Sequence, residues 1–283
     1  MIQKTIGLYS DTTGHSPFNK DTLVIEVCNQ HVVCFVKSEN DQKVTSLEFF
    51  KIEIDGNDWD EIFYEIRVNS GLIDRSYNNT QVFYHFNEIV LVPAYKYNEA
   101  SNDAFLNLIF GEVEKCVTKT EVLKIKSEKI FSVYRIQQTL HETIHRNFLS
   151  ITEHHVYNGI LNGVANERND KLSDCIGVNF YYKHFVVYAF KSNQLQIVQS
   201  FDFTNAEDAL YHILNIANKF KISTQVDTLM LGGIIEKTDP LFAYLQQQFK
   251  HLFLVEVDAS QNGLDKLQSY PLHYFSPFFN LQA

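Results

Sequence analysis

Arginine is scarce in this sequence: 5 of the 24 basic residues are Arg, against 34 Asp and Glu, and the formal net charge is −10. So few guanidinium groups in an acidic chain argue against the bidentate phosphate and base-edge contacts on which nucleic-acid recognition rests. Cysteine is sparse too. Cys28, Cys34, Cys116 and Cys175 form no C-x-x-C pair and are scattered, so they read as free thiols of a reducing cytoplasm, not as a disulfide framework. No apolar run approaches the roughly 18 residues that would span a bilayer, and the first residues have no signal-peptide pattern. The expectation is a cytoplasmic protein without membrane insertion. What the chain does have is 45% hydrophobic and 14% aromatic residues, with 23 Phe and 15 Tyr over 283 positions. That excludes disordered and collagen-like classes and supplies enough core for two domains of ordinary size.

The order of elements repeats. Leu23 to Cys28 and Val32 to Val36 read as a hairpin around Asn29-Gln30-His31, with Val44 to Phe50 as a third strand. A helix over Asp58 to Val68, a strand over Glu88 to Pro93 and a helix over Ser101 to Phe110 follow. In the second half Ile176 to Tyr182, Phe185 to Phe190 and Gln194 to Phe203 form the meander. Then come the helix Ala206 to Phe220, capped by Asn205, the strand Thr228 to Ile235, and a helix from Asp239 to Phe249 with Pro240 at its first position. Phe253 to Val257 closes the series. Each half is β-β-β-α-β-α-β, which gives an α/β fold with mixed sheets, divided at the polar stretch Asn158 to Ser173 into residues 1–150 and 151–283.

A doubled unit of this order resembles the actin-like ATPase superfamily of actins, heat-shock chaperone ATPases and sugar kinases, a ribonuclease H-like fold. Three local features carry the resemblance. Ile89-Val90-Leu91-Val92-Pro93-Ala94-Tyr95 is similar to the Val-Pro-Ala-Tyr segment of the chaperone members. Leu229-Met230-Leu231-Gly232-Gly233 is similar to the superfamily's adenosine motif, and a hairpin opens each half where the phosphate loops lie. Over nearly its whole length the chain is most similar to a bacterial family of unknown function with this fold. The resemblance implies a nucleotide cleft between two lobes, lined here by Glu26, Asn179, Gly232 and Gly233.

Those positions depart from the superfamily pattern. A phosphate loop carries Asp-x-Gly, because a missing Cβ lets backbone N–H groups reach the phosphates while the Asp orients magnesium and water. Here Glu26 stands for the first Asp and Cys28 replaces the Gly; Asn179 stands for the second Asp and Tyr181 replaces its Gly. The expectation is a pseudo-ATPase that has lost hydrolysis, needs no cofactor, retains at most weak Mg-ATP binding, and works by binding a protein partner or assembling. The alternative is an atypical ATPase or kinase using the same cleft.

A competing chemical motif is His141-Glu142-Thr143-Ile144-His145, a literal H-E-x-x-H. On a helix it sets two imidazoles one turn apart to hold Zn²⁺ with the Glu as general base. Glu167, in Asn166-Glu167-Arg168-Asn169-Asp170, is the candidate third ligand of a zinc metallopeptidase. Against this, Asn158 to Asp170 is Gly- and Asn-rich and reads as loop, and strands follow where those peptidases are helical. Asp11-Thr12-Thr13-Gly14 reads as a turn, Glu153-His154-His155 as a solvated loop, and the lysines between Lys115 and Lys129 as an exposed face. The aromatic C-terminal segment either covers its own core, the favoured reading, or presents Tyr274, Phe275, Phe278 and Phe279 to a partner.

Overall fold

The computed structural model describes residues 1–10, 20–53, 58–126, 128–167, 174–258, 264 and 267–283. Asp11 to Gly14 lies outside them. The chain forms two compact units: Met1–Gly159 with Ala259–Gln268 and Ala283, and Ile160–Asp258 with Ser269–Gln282.

The first unit is built on a six-stranded sheet. Its strands are β1 (Ile2–Tyr9), β2 (Thr22–Val27), β3 (His31–Lys37), β4 (Val44–Ile52), β5 (Asn79–Tyr84) and β9 (Ile151–His155), in the order β1-β4-β3-β2-β5-β9. Leu23, Ile25 and Val27 alternate along β2 toward one face. They pack there with Ile62, Phe63 and Ile66 of α1 (Trp59–Asn69) and with Leu140 and Ile144 of α3 (Gln138–Asn147). Asp58 starts α1, its Oδ1 accepting from the amides of Asp60 and Glu61 at 3.1 and 3.2 Å. Val24 and Glu26 point to the opposite face and are fully buried as well, so β2 is covered on both sides.

Between β5 and α3 the chain leaves this sheet. β6 (Ile89–Pro93), α2 (Asn102–Phe110), β7 (Cys116–Ile125) and β8 (Glu128–Gln137) make a separate three-stranded sheet in the order β6-β8-β7, with α2 against β8. This changes two readings. The crossover strand is Asn79–Tyr84, not Glu88–Pro93; the latter is an edge strand of the small sheet, apolar yet largely half-exposed. The helix over 101–110 belongs to this inserted layer, and the lysines between Lys115 and Lys129 lie along its β7 and β8, most of them exposed as expected. In the sequence Ile2 to Lys20 looks like a long polar loop, yet Ile2–Tyr9 forms β1 on the sheet edge, paired antiparallel with β4.

The second unit holds β10 (Cys175–Phe180), β11 (His184–Lys191), β12 (Gln194–Asp202), β13 (Thr228–Gly233) and β14 (His251–Leu254) in the order β12-β11-β10-β13-β14. Its meander is antiparallel and its crossovers parallel, the same pairing that runs from β4 through β3, β2 and β5 to β9. Its core joins Ile176, Val178 and Phe180 to Ile213 of α5 (Ala206–Lys219) and Leu245 of α6 (Pro240–Gln248). Asn205 caps α5 through Asp208 N–H at 2.8 Å. Asp239 stands at the N-cap of α6 with Pro240 after it, but its side chain makes no bond to the helix amides and accepts instead from Glu236 N–H at 2.7 Å. The stretch from Asn158, read as loop, is helical through Glu167 as part of α4 (Val156–Glu167). Its Gly163 serves close packing, since a Cβ there would run into the Asn280 carbonyl.

Candidate functional site

The two meanders end in equivalent turns. Across its hairpin Glu26 opposes Val33, and across the parallel pair it opposes Phe83. Asn179 opposes Val186 and Gly232 in the same way. The Cys28 amide donates to the His31 carbonyl at 3.0 Å, and the Tyr181 amide to the His184 carbonyl at 2.9 Å. The sequence alignment of Glu26 with Asn179, and of Cys28 with Tyr181, therefore coincides with their structural placement.

The first turn closes on a buried polar cluster. Glu26 comes from β2, His31 opens β3, and His85 directly follows β5; all three are buried, Glu26 and His31 completely. Glu26 Oε1 lies 2.9 Å from His85 Nδ1 and 3.3 Å from His31 Nε2. His31 Nδ1 lies 3.1 Å from Cys28 Sγ, which also accepts from the Gln30 amide at 3.3 Å. Burial raises the pKa of Glu26, but the hydrogen bonds from His31 and His85 more than reverse this and hold it down at about 2. Burial opposes charge on His31, yet the Cys28 sulfur and Glu26 together push its pKa up to about 10. At His85 burial prevails and the pKa falls. In the sequence His31 reads as part of the polar turn, and His85 belongs to no motif. Their sequence separation conceals that two strand ends and a turn bring them onto one carboxylate.

The second turn closes on aromatics. Tyr181, 1% exposed, stacks on His184 with centroids 4.7 Å apart and meets Phe278 edge-on at 5.9 Å. Gly233 has φ +83, the left-handed region, and a Cβ there would run into the Phe180 carbonyl. At Gly232 a Cβ would collide with Ser276 and come within 3.0 Å of Asn179 Oδ1. The C-terminal segment thus lies against the end of β13, where His273 Nε2 also contacts the Ile235 carbonyl at 2.7 Å. A cavity of about 50 Å³ remains, lined by Asn179, Tyr188, Met230 and Ser276 among others. Of the aromatic residues named as a partner surface, Phe275 and Phe278 are buried in this unit and present nothing outward. Tyr274 and Phe279 are half-buried, and the Tyr274 hydroxyl donates to Glu236.

The first carboxylate is sealed beneath two imidazoles, and at the second turn a tyrosine ring and Ser276 fill the space a glycine-lined loop leaves open.

The H-E-x-x-H residues converge on a different partner from the one the motif implies. His141 Nδ1 and His145 Nε2, on α3, lie 3.0 and 3.3 Å from the two carboxylate oxygens of Glu153 on β9. Glu153 also accepts from Lys119 Nζ at 2.7 Å and from the Tyr84 hydroxyl at 2.9 Å. Burial lowers the pKa of His141, and Lys119 helps hold Glu153 ionised against the effect of its burial. Glu142 faces away, on the exposed flank, where Gln138 Nε2 donates to it at 2.7 Å. A general base would have to stand beside the metal. The side chain of Glu167 and residues 168–173 lie outside the described residues. Glu153-His154-His155 is strand, not solvated loop. His155 is buried, accepting from the Tyr157 amide at Nδ1 (3.1 Å) and donating from Nε2 to the Phe86 carbonyl (2.8 Å).

Residues 15–252 match the family described as protein of unknown function, DUF3822. No curated protein matches the chain. Among solved structures, a Bacteroides thetaiotaomicron protein with actin-like ATPase fold and unknown function superposes with a TM-score of 0.74 at 13% identity, over 89% of this chain and 95% of that one. The PilM-PilN type IV pilus biogenesis complex superposes with a TM-score of 0.65, again at 13% identity, over 92% of this chain and 97% of that one. The fold is the actin-like ATPase fold. Among the described residues, no helix is long and apolar enough to cross a membrane.

Proposed function

The chain belongs to the DUF3822 family of unknown function, and from that premise we propose that it is a non-catalytic actin-like protein that binds or assembles with a protein partner in the cytoplasm. In this reading the two units, with their shared strand order, descend from one duplicated unit that has lost its phosphate loops. The observation that carries it is the second turn. Tyr181 is buried between His184 and Phe278, and Ser276 sits against Gly232, where the resemblance would put nucleotide. The sealed Glu26 at the first turn supports it, because a carboxylate that positions water and magnesium must reach solvent. A protein partner fits the likeness to a complex: in PilM-PilN a protein of this fold works within an assembly.

The test is thermal unfolding and phosphate release with and without millimolar Mg-ATP. A ligand at a hundredfold excess over Kd stabilises the native state by about 2.7 kcal/mol, a readily measured shift. We expect no shift and no phosphate release above the buffer. A shift that Glu26→Gln abolishes would return the protein to the ATPases.

A further inference from the structure

We propose that Glu26, His31 and His85 form an internal site for one divalent first-row transition metal, zinc by its donor set. Two imidazole nitrogens and a carboxylate are a ligand combination that zinc takes up readily. Their ligand atoms all lie within 4.8 Å of one another. A tetrahedral zinc with bonds of about 2.05 Å sets its donor atoms roughly 3.3 Å apart. The observed separations from Glu26 Oε1 are 3.3 Å to His31 and 2.9 Å to His85, so small side-chain shifts would admit the ion.

Two further observations point to a cation. Glu26 is completely buried, yet its ion-pair partners among the described residues are both histidines, with no lysine or arginine. A carboxylate removed from water needs a compensating positive charge beside it; a proton on an imidazole supplies one without metal, and an ion bound by the same imidazoles in their neutral form would take its place. Second, Glu26 Oε2 is buried without a hydrogen-bond partner, a vacant lone pair on the group that would bind the metal. Behind His31, Cys28 Sγ at 3.1 Å holds the nitrogen that faces away from Glu26, the outer contact that orients a metal-bound imidazole.

The H-E-x-x-H cluster offers the same donor types with a fixed cation already among them. Lys119 already neutralises Glu153, with its ammonium 2.7 Å from the oxygen nearest His145, and Tyr84 occupies the other oxygen. A metal there would meet a resident cation. The inner site is closed, so loading would accompany folding.

The inference is independent of the functional reading above and is tested without nucleotide. The full-length protein is expressed with zinc, dialysed against a weak chelator and analysed for metal by mass spectrometry; a parallel sample folded with Co²⁺ is examined for the intense visible absorption of a four-coordinate site. Wild type and His145→Ala should each hold one equivalent. Glu26→Gln and His85→Asn should hold less than a tenth of that, while circular dichroism checks that they fold. Cys28→Ala should weaken binding about 10- to 100-fold, the usual effect of losing an outer-shell partner. Wild-type protein that folds without metal and takes up neither ion would overturn the proposal even if every variant were insoluble. So would metal that His145→Ala removes and Glu26→Gln retains.

Discussion

The two turns share a backbone and differ in what fills them. In the first unit the space beyond β2 and β5 is taken by charge, a carboxylate held by two imidazoles, with Phe83 in register beside Glu26. In the second the equivalent neighbour is Gly232, and the room its missing side chain leaves is taken by Ser276, with Phe278 alongside on Tyr181. One backbone geometry can thus be closed by an internal ionic cluster or by a returning segment of chain. The difference should appear as different sensitivities to substitution.

The largest effect is expected at Glu26. Glu26→Ala leaves two buried imidazoles without their acceptor, and breaking a buried charged pair from one side costs about 3–5 kcal/mol. Asn179→Ala, at the matching position, removes a half-buried amide beside a small cavity and should cost no more than about 1 kcal/mol. Denaturant titration followed by circular dichroism measures both; equal losses would show that the turns are not closed by different physics. Next is Phe278→Ala, which empties the ring site against Tyr181 and should cost about 3 kcal/mol. The same loss from Phe279→Ala, whose side chain is only half-buried, would mean that the segment does not close the second turn through Phe278.

The sequence makes the second unit far more legible than the first. From Cys175 to Leu254 every strand and helix falls within a few residues of its reading, because apolar runs there alternate directly with amphipathic helices; the short helical turns of the C-terminal segment are not in that reading. In the first unit an inserted layer separates β5 from α3. β5 begins Asn-Thr-Gln, so the more apolar β6 takes its place in any reading by hydrophobicity, although it lies in another sheet. The site residues divide likewise. Glu26 and Asn179 are found from the hairpins, since register fixes them locally. His31 and His85 are not, because only the parallel pairing of β2 with β5 brings His85 to Glu26. The aromatic segment is legible as a covering element, but the residues it covers are not, since their contact with it is set by tertiary packing alone.

A further expected effect, smaller than those at Glu26 and Phe278, is a pH slope that arises in the first unit. His155 is fully buried with both ring nitrogens committed, one accepting and one donating, which fixes the neutral form. Burial drives its pKa down from 6.5 to about 3, opposed in part by the Phe86 carbonyl and aided by nearby His85. Above pH 6.5 the folded and unfolded chains are both neutral at this residue, and it adds nothing to the pH dependence. Between 6.5 and about 3 the unfolded chain takes a proton that the folded one refuses, so stability falls as pH falls, by about 1.4 kcal/mol per unit. At pH 5.5 the loss from this residue should therefore be about 1.4 kcal/mol relative to pH 7.5. Trp59, the single tryptophan and buried in the first unit, reports that unit's unfolding by fluorescence. His155→Gln should have lower stability at pH 7.5 but a flatter profile down to 5.5. His85 and His31 remain in both proteins, so the difference between the two profiles isolates His155; parallel profiles would mean that the imidazole takes up its proton without leaving the core.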